Sequence, residues 1–414
     1  MKKILIIGGG ISGLCSAYYL IKEGFSVTIL DQGDMESGAS YINAGYITPS
    51  HFIPLAAPGM ISKGLKWMLN SSSPFYIKPR WDTDFFRWAL DFKRSANVQR
   101  VENAIPALKE LNLQSQVLYE ELLATLDFEF HYEKKGVLLA YGTPKAEEEE
   151  LEVAQRAVKE GLEVDCLSKK ALHELEPVFS DHVTGAVHYK CDSHTTPNEF
   201  MGQLKSWLVT MGANFELRQQ VKGFQVQNGH ITGVETQNNL FTADEYVLAS
   251  GSWTSPLVRS LGLYIPVQGG KGYSMDVYRE TGIAVPAILV EAKVAVTPMK
   301  GFSRFAGTME FSGNNSLVRR ERVEALASAV KKYYRSVEIQ PKEKEGAVSG
   351  LRPVSPDGLP FIGKTLKYDN LTLAAGHAMM GWSLGPITGK LVTQGITKEK
   401  TTVDLRPFRP ERFQ

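Results

Sequence analysis

The first residues alternate between two hydrophobic patterns. Lys3–Ile7 is apolar almost without a break and reads as a short buried strand. Ser12–Glu23 sets Leu14, Ala17, Tyr18 and Ile21 on one helical face and stops at Gly24. Ser26–Leu30 is a second apolar run, closed by Asp31. Strand, helix and strand in this order predict a βαβ unit with parallel strands. Met1-Lys2-Lys3 ahead of an apolar run also resembles the start of a signal peptide. The run ends at Gly8-Gly9-Gly10 with no clear small-residue cleavage site after it, so a buried strand entering a glycine turn accounts for these residues better.

Further along, Val101–Leu126 predicts a long helix, Gly136–Tyr141 a strand, and Ala146–Glu160 a charged helix whose glutamate run is a solvated face. Pro54 to Arg80 holds several prolines and one short helical stretch around Met60–Leu69. The pattern then shortens. Phe215–Leu217, Val221–Val226, Ile231–Thr236 and Leu240–Thr242 read as strands of a small meander, with turns at Asn228-Gly229 and Asn238-Asn239. Tyr246–Ala249 is another buried strand. Ile265–Asp276, Ile288–Val296 and Phe302–Met309 predict an antiparallel sheet, and Val318–Tyr334 a helix. From Gly350 to Lys390 the chain is again punctuated by glycine and proline.

Composition narrows this picture mainly by exclusion. A chain of 414 residues accommodates two domains, and 43% hydrophobic with 22% charged residues is ordinary for a globular protein. Lys+Arg 46 against Asp+Glu 45 leaves +1, so a chain-wide phosphate-binding surface is not expected and nucleic acid is excluded as a partner. Cys15, Cys166 and Cys191 lie far apart, which suits a reducing, cytoplasmic compartment and no disulfide framework. No apolar run approaches the length that spans a bilayer.

The glycine turn carries the first chemistry. Gly8-x-Gly10-x-x-Gly13 follows a strand and opens a helix. Gly8 permits the tight turn, Gly10 lets a pyrophosphate approach the backbone, and Gly13 lets helix and strand pack closely. Asp31 stands where a carboxylate accepts ribose hydroxyls, and it disfavours NADP, whose extra phosphate would meet a like charge. The motif alone leaves FAD and NAD open. An NAD enzyme usually continues with more βαβ units. This chain departs into a polar loop, builds a meander and returns at Tyr246–Gly251, an interleaving typical of flavin folds. The fold expected is α/β: a Rossmann-like FAD-binding domain (1–50, 160–262 and 340–414) interleaved with an α+β substrate domain containing an antiparallel sheet (51–159 and 263–339). Arg352, within Gly350-Leu351-Arg352-Pro353, is suited to clamp a substrate carboxylate, being planar and bidentate. The stretch Gly376-His377 to Gly385-Pro386 reads as a loop feeding a helix whose N-terminus favours negative charge on a reduced flavin.

These motifs resemble the D-amino acid oxidase superfamily of FAD amine oxidoreductases, and within it the bacterial D-amino acid dehydrogenases. The resemblance runs nearly end to end. It rests on GGGISG, Asn43-Ala44-Gly45, Ala57-Pro58-Gly59 with Lys66-Trp67-Met68-Leu69, Lys271-Gly272-Tyr273-Ser274, the GLRPxxPDGLPxIG block and GHxxxGW. It implies that Gly8, Gly10, Ile11, Ser12 and Gly13 hold the pyrophosphate of FAD and that Asp31 and Gln32 bind the adenosine ribose. Ser40, Asn43, Ala44 and Gly45 would line the flavin, with Gly381, Trp382 and Ser383 at its pyrimidine. Val221, Gly251 and Trp253 would close the adenosine side. Arg352 would hold the substrate carboxylate, with Tyr273, Tyr46 and His377 beside it. The implied reaction is oxidation of a D-amino acid such as D-alanine, D-proline or D-hydroxyproline. Hydride leaves Cα for flavin N5, and the imine hydrolyses to a 2-oxo acid or stays cyclic. The nitrogen lone pair drives that step, so no catalytic side chain is required. Electrons would pass to a quinone or other respiratory acceptor. Where this branch usually has Thr-Leu before Gly-Trp, this chain has Met379-Met380, which bears on substrate preference.

Several residues keep two readings. His377 is either a polar substrate neighbour or a support for its own loop. Tyr273 faces either the substrate or the core. Met60–Leu69, with Lys63, Lys66 and Trp67 among apolar residues, is either a helix of the substrate domain or a peripheral contact with the inner face of the cell membrane. His188, Asp192 and His194 lie close in a segment that reads as a loop, and their spacing fits no metal-binding pair. An oxygen-using oxidase of the same superfamily, an NAD-dependent dehydrogenase and a non-catalytic FAD-fold protein are the alternative functions.

Overall fold

A computed structural model describes residues 1–56, 73–125 and 129–414. The expected helix around Met60–Leu69, its membrane reading and the Ala57-Pro58-Gly59 motif lie outside the described residues.

The first βαβ unit forms as its pattern predicts: strand Lys3–Ile7, helix Ile11–Lys22, strand Ser26–Leu30. Ile4 to Ile7 are all buried because both faces of this strand are covered. It lies inside a six-stranded sheet ordered Asn214–Glu216, Ser26–Leu30, Lys3–Ile7, Glu245–Leu248, Leu371–Ala375 and Phe361–Lys364. The first five strands run parallel, and the last pairs antiparallel with Leu371–Ala375. Ile4 and Ile6 pack under the helices Ile11–Lys22 and Pro197–Thr210, against Leu14, Ala17, Phe200 and Leu204. Leu5 and Ile7 point the other way, toward Ile231 and Val234 of a three-stranded meander, Gly223–Gln227, His230–Glu235 and Leu240–Phe241. The strand expected at Phe215–Leu217 does not join that meander. It forms at Asn214–Glu216 and pairs with Ser26–Leu30 at the sheet edge.

Nine strands among the described residues form a second, mostly antiparallel sheet. Its order is Val348–Val354, Gln268–Val277, Phe302–Phe311, Val294–Met299, Ala287–Leu289, Val137–Tyr141, Gly185–Tyr189 and Val164–Ser168, with Phe75–Ile77 paired to Phe302–Phe311. The single strand expected over Ile288–Val296 is two strands, because the chain turns at Lys293 with φ 54°. Strands Val164–Ser168 and Gly185–Tyr189 pair here, whereas the expected boundaries put 160–262 with the nucleotide-binding sheet. The GLRP segment is likewise a strand of this sheet, within the 340–414 stretch expected in the nucleotide-binding domain. Helix Arg320–Tyr333 covers one face through Val323, Leu326 and Val330.

The long helix runs Val98–Ala124, its first turn capped by the Asn97 side chain, which accepts from Arg100 N–H. Pro106 sits inside it. A second helix, Thr83–Ser95, was not anticipated, although Asp82 is its N-cap and accepts from Phe85 N–H. A small sheet of Tyr46–Ile47, Ser193–Thr195 and Tyr132–Glu133 completes the strands relevant to the site. His188 and His194 therefore lie on strands, not in the loop expected. No helix among the described residues is long and apolar enough to cross a membrane.

Candidate functional site

A cavity of about 630 Å³ opens at the carboxyl ends of the parallel strands, where an open α/β sheet places its ligands. The glycine turn forms one end. Gly8 has φ 109°, and a Cβ there would strike the Ala249 carbonyl. A Cβ on Gly13 would strike the Gly8 carbonyl, so both glycines are required by the close approach of helix to sheet. Asp31 braces the turn: Oδ2 accepts from Gly9 N–H at 2.8 Å and Oδ1 from Gly33 N–H at 2.7 Å. Each oxygen keeps a second lone pair for a ligand hydroxyl. The helix begins at Ile11 with no side-chain cap from Gly10. Its Ile11 N–H donates to Ser40 Oγ at 3.0 Å, while Ser12 and Gly13 present the remaining N–H groups of the first turn. Gln32, Val221, Gly251 and Trp253 line the same end.

Ser40, Asn43, Ala44, Tyr46, Gly381, Trp382 and Ser383 also line the cavity. The Trp382 indole is buried and donates Nε1–H to Thr195 Oγ1 at 2.9 Å. Ser383 Oγ accepts from Thr48 N–H and donates to Asn112 Oδ1. Helix Gly385–Thr397 starts immediately after this segment and packs on the first helix, Gly389 against the Cys15 backbone. Two helix starts are thereby brought to one cavity, a favourable setting for negative charge.

Arg352 is the one lysine or arginine among the described residues that lines the cavity. It lies on the edge strand Val348–Val354, opposite Gly270 of Gln268–Val277. Its guanidinium crosses Gly272, where any Cβ would collide with it, which gives the glycine of Lys271-Gly272-Tyr273-Ser274 a steric reason. Nη1 donates to the Thr308 carbonyl at 2.9 Å. Thr308 has φ 63° at a bulge opposite Lys271–Tyr273, an uncommon conformation for a β-branched residue that turns its carbonyl to this task. Among the described residues no carboxylate pairs with Arg352. Asp357, the nearby acid in sequence, is held bidentately by Arg412 at 2.7 and 3.0 Å. Burial without a counter-charge pulls the Arg352 guanidinium down to about 10.

The other expected residues are placed with differences. Gly13 and Gly45 stand behind the lining, not in it. Gly45 has φ 77° and lies against the Thr195 carbonyl. Tyr46 and Tyr273 line the cavity with their rings while their hydroxyls are committed elsewhere. Tyr46 Oη lies 2.9 Å from Ala287 O and 2.8 Å from Val296 O. Tyr273 donates to Glu310 Oε2 at 2.8 Å, inside a buried cluster with Lys271, Arg319 and Arg322. His377 is buried, its Nε2 2.9 Å from Thr388 Oγ1, and burial lowers it to about 4. That geometry matches the loop-supporting reading. His188, Asp192 and His194 do not converge. His188 bonds Lys135 O, Asp192 bonds Ser50, and His194 lies near Glu133, which pairs with Lys135 at 2.7 Å. The cavity also takes Met35, His51, Met201, Gln219, Met379 and Met380 into its wall. The sequence reading did not single out His51 as a site residue, although it follows the Asn43-Ala44-Gly45 turn by a few residues.

The chain matches the family of FAD dependent oxidoreductases (DAO) over residues 3–395. It is 27% identical over 395 residues to a D-amino acid dehydrogenase of Helicobacter pylori, covering 94% of both chains. It is 29% identical over 411 residues to a D-amino acid dehydrogenase of Granulibacter bethesdensis, covering 97% of both. Among solved structures, glycine oxidase from Geobacillus kaustophilus superposes over 100% of both chains with TM-score 0.79 at 22% identity. The residues present fit FAD. The turn that a pyrophosphate must approach has no room for a Cβ at Gly8 or Gly13, and Asp31 is oriented beside it by two backbone N–H groups.

Proposed function

The chain belongs to the DAO family of FAD-dependent oxidoreductases, and from that premise we propose that it is a dehydrogenase of small apolar or cyclic D-amino acids. The observation that carries the substrate class is Arg352, a half-buried guanidinium that faces the cavity and has no carboxylate partner among the described residues. Such a group is stabilised by an incoming carboxylate, which it can bind with two parallel N–H bonds. The D-configuration is supported by the names of the two relatives and by the Lys271-Gly272-Tyr273-Ser274 segment.

In this reading Gly8, Gly10, Ile11 and Ser12 hold the pyrophosphate of FAD, and Asp31 with Gln32 takes the adenosine ribose. Val221, Gly251 and Trp253 enclose the adenosine. Ser40, Asn43, Ala44, Gly381, Trp382 and Ser383 frame the ring system. FAD bound there supplies the acceptor for the hydride that leaves the substrate Cα. The chain supplies orientation. Arg352 fixes the carboxylate, and the Tyr46 and Tyr273 rings wall the substrate and exclude water. His377, neutral and held by Thr388, keeps the loop before Gly381 in place. Met379 and Met380 form an adaptable part of the wall, suited to side chains without charge.

The experiment is anaerobic mixing of the holoenzyme with D- and L-alanine, D- and L-proline and glycine. Rapid bleaching of the flavin by the D-forms is expected. Bleaching by L-forms with the D-forms inert would overturn the stereochemical assignment, and bleaching by none would overturn the substrate class.

A further inference from the structure

Oxidation at Cα requires a neutral amine, yet an amino acid arrives as an ammonium, so one proton must leave before hydride can. We propose that His51, held by Ser50 and the buried carboxylate of Asp192, accepts that proton; this rests on the amino acid reading of the same cavity. Asp192 is fully buried, and no lysine or arginine pairs with it among the described residues. Its Oδ1 accepts Ser50 N–H at 3.0 Å and its Oδ2 accepts the Ser50 hydroxyl at 2.6 Å. When Asp192 is ionised, as the accepting state requires, the single hydroxyl proton is given to it. At 3.2 Å from His51 Nδ1, Ser50 Oγ can therefore only accept. Nδ1 must carry the hydrogen, and Nε2 of the neutral ring is left as a bare acceptor. His51 is part of the cavity wall, as is Arg352.

A carboxylate buried with only a serine and a weak thiol donor, Cys191 at 3.6 Å, is costly unless it has a task. Burial lifts Asp192 to about 7 and lowers His51 to about 4. The other titratable groups facing Asp192 are Cys191, Tyr46 and Tyr189, all pushed upward by burial and thus neutral. The transfer balances. An ammonium N–H bond breaks as His51 Nε2 gains a proton, Nδ1–H passes to Ser50 Oγ, and the Ser50 proton passes to Asp192 Oδ2. One proton has moved from substrate to Asp192, the amine is neutral, and no oxidant is consumed. The reverse path discharges the proton after product leaves. His51 is the catalytic residue, and Ser50 and Asp192 position it.

The test is the rate of anaerobic flavin reduction by a D-amino acid against pH, in wild type, His51→Gln, Asp192→Asn and Ser50→Ala holoenzymes. Ser50→Ala removes only the linking hydroxyl and serves if the other variants fold poorly. Each variant should be slower by about 100-fold near neutrality, the lower range of general acid–base contributions. The deficit should close above the ammonium's own pKa, where the amine arrives neutral. A deficit of the same size at every pH would mean a structural role and overturn the proposal. Nitrogen NMR of labelled histidine in the oxidised holoenzyme gives a second readout. His51 should be the Nδ1–H tautomer in wild type and lose that preference in Asp192→Asn; an Nε2–H tautomer in wild type refutes the relay. A wild-type flavin that no amino acid reduces at any pH defeats the substrate reading itself, and the relay with it.

Discussion

Replacing Arg352 separates a substrate clamp from a structural cation. In the structure one N–H of Arg352 is used on the Thr308 carbonyl, and its Asp357 alternative is removed because Arg412 holds that carboxylate. The remaining guanidinium donors face a cavity with no other lysine or arginine among the described residues. A hydrogen bond to a charged group contributes roughly 1.5–3 kcal/mol. Losing most of that corresponds to about 10–100-fold in affinity, at about 1.4 kcal/mol per factor of ten. Arg352→Lys keeps the charge but offers no planar fork, so it should sit near the lower figure and Arg352→Ala near or beyond the upper. Gly272→Ala reaches the same point from the other strand, because its methyl must displace the guanidinium. All three should retain FAD, whose phosphate and ribose contacts we place at Gly8–Gly13 and Asp31. The assay is equilibrium titration of each holoenzyme with a D-amino acid and with its carboxamide. The acid should weaken and the amide should change little. Equal weakening of acid and amide, or loss of flavin from every variant, would refute the clamp.

Gly13→Ala should cost the protein its cofactor and about 1–3 kcal/mol of stability, since the new methyl meets the rigid Gly8 backbone; flavin content and denaturant titration report both. Holoenzyme stability should fall as pH drops from 6.5 toward about 4. The buried His377 is held neutral, with its folded-state value depressed, so its contribution is present above 6.5 and lost through about 4. That share is about 3 kcal/mol, and thermal melts of wild type against His377→Gln across this window should converge at the acid end. Reduced enzyme should reoxidise slowly with oxygen and rapidly with a quinone or dye in stopped flow; peroxide formed at the full turnover rate would identify an oxidase instead. Acid precipitation should release all the flavin, and flavin left in the pellet would contradict non-covalent binding.

The parts of the site legible in the sequence are those with a local signature. Gly8, Gly13 and Asp31 fall within one βαβ unit, and Arg352 is marked by its Gly-Leu-Arg-Pro neighbours. Contacts made across the chain carry no such mark. Asp192 and Ser50 are 142 residues apart, and nothing near either predicts their pairing. Alternation along a strand says which face Tyr273 occupies, but not that its hydroxyl reaches past the cavity to Glu310. The strand at Asn214–Glu216 was misassigned to the meander because its apolar run suits either partner, and only the parallel pairing with Ser26–Leu30 decides. The break between Leu289 and Val294 was hidden because Val290, Ala292 and Val294 keep a strand-like alternation with Glu291 and Lys293 through the turn.

The pairing of Lys3–Ile7 with Glu245–Leu248 sets a timetable for synthesis. Ile4 meets Glu245 across the ladder, so Lys3–Ile7 lacks one neighbour until some 240 further residues have been made. At ~5–20 residues per second that wait is about 12–50 s on the ribosome. During it Ile4, Leu5, Ile6 and Ile7 present an unpaired apolar edge, the kind of surface that recruits chaperones or aggregates. Leu371–Ala375 arrives later still, so the cavity at the carboxyl ends of these strands is complete only once that strand has been made.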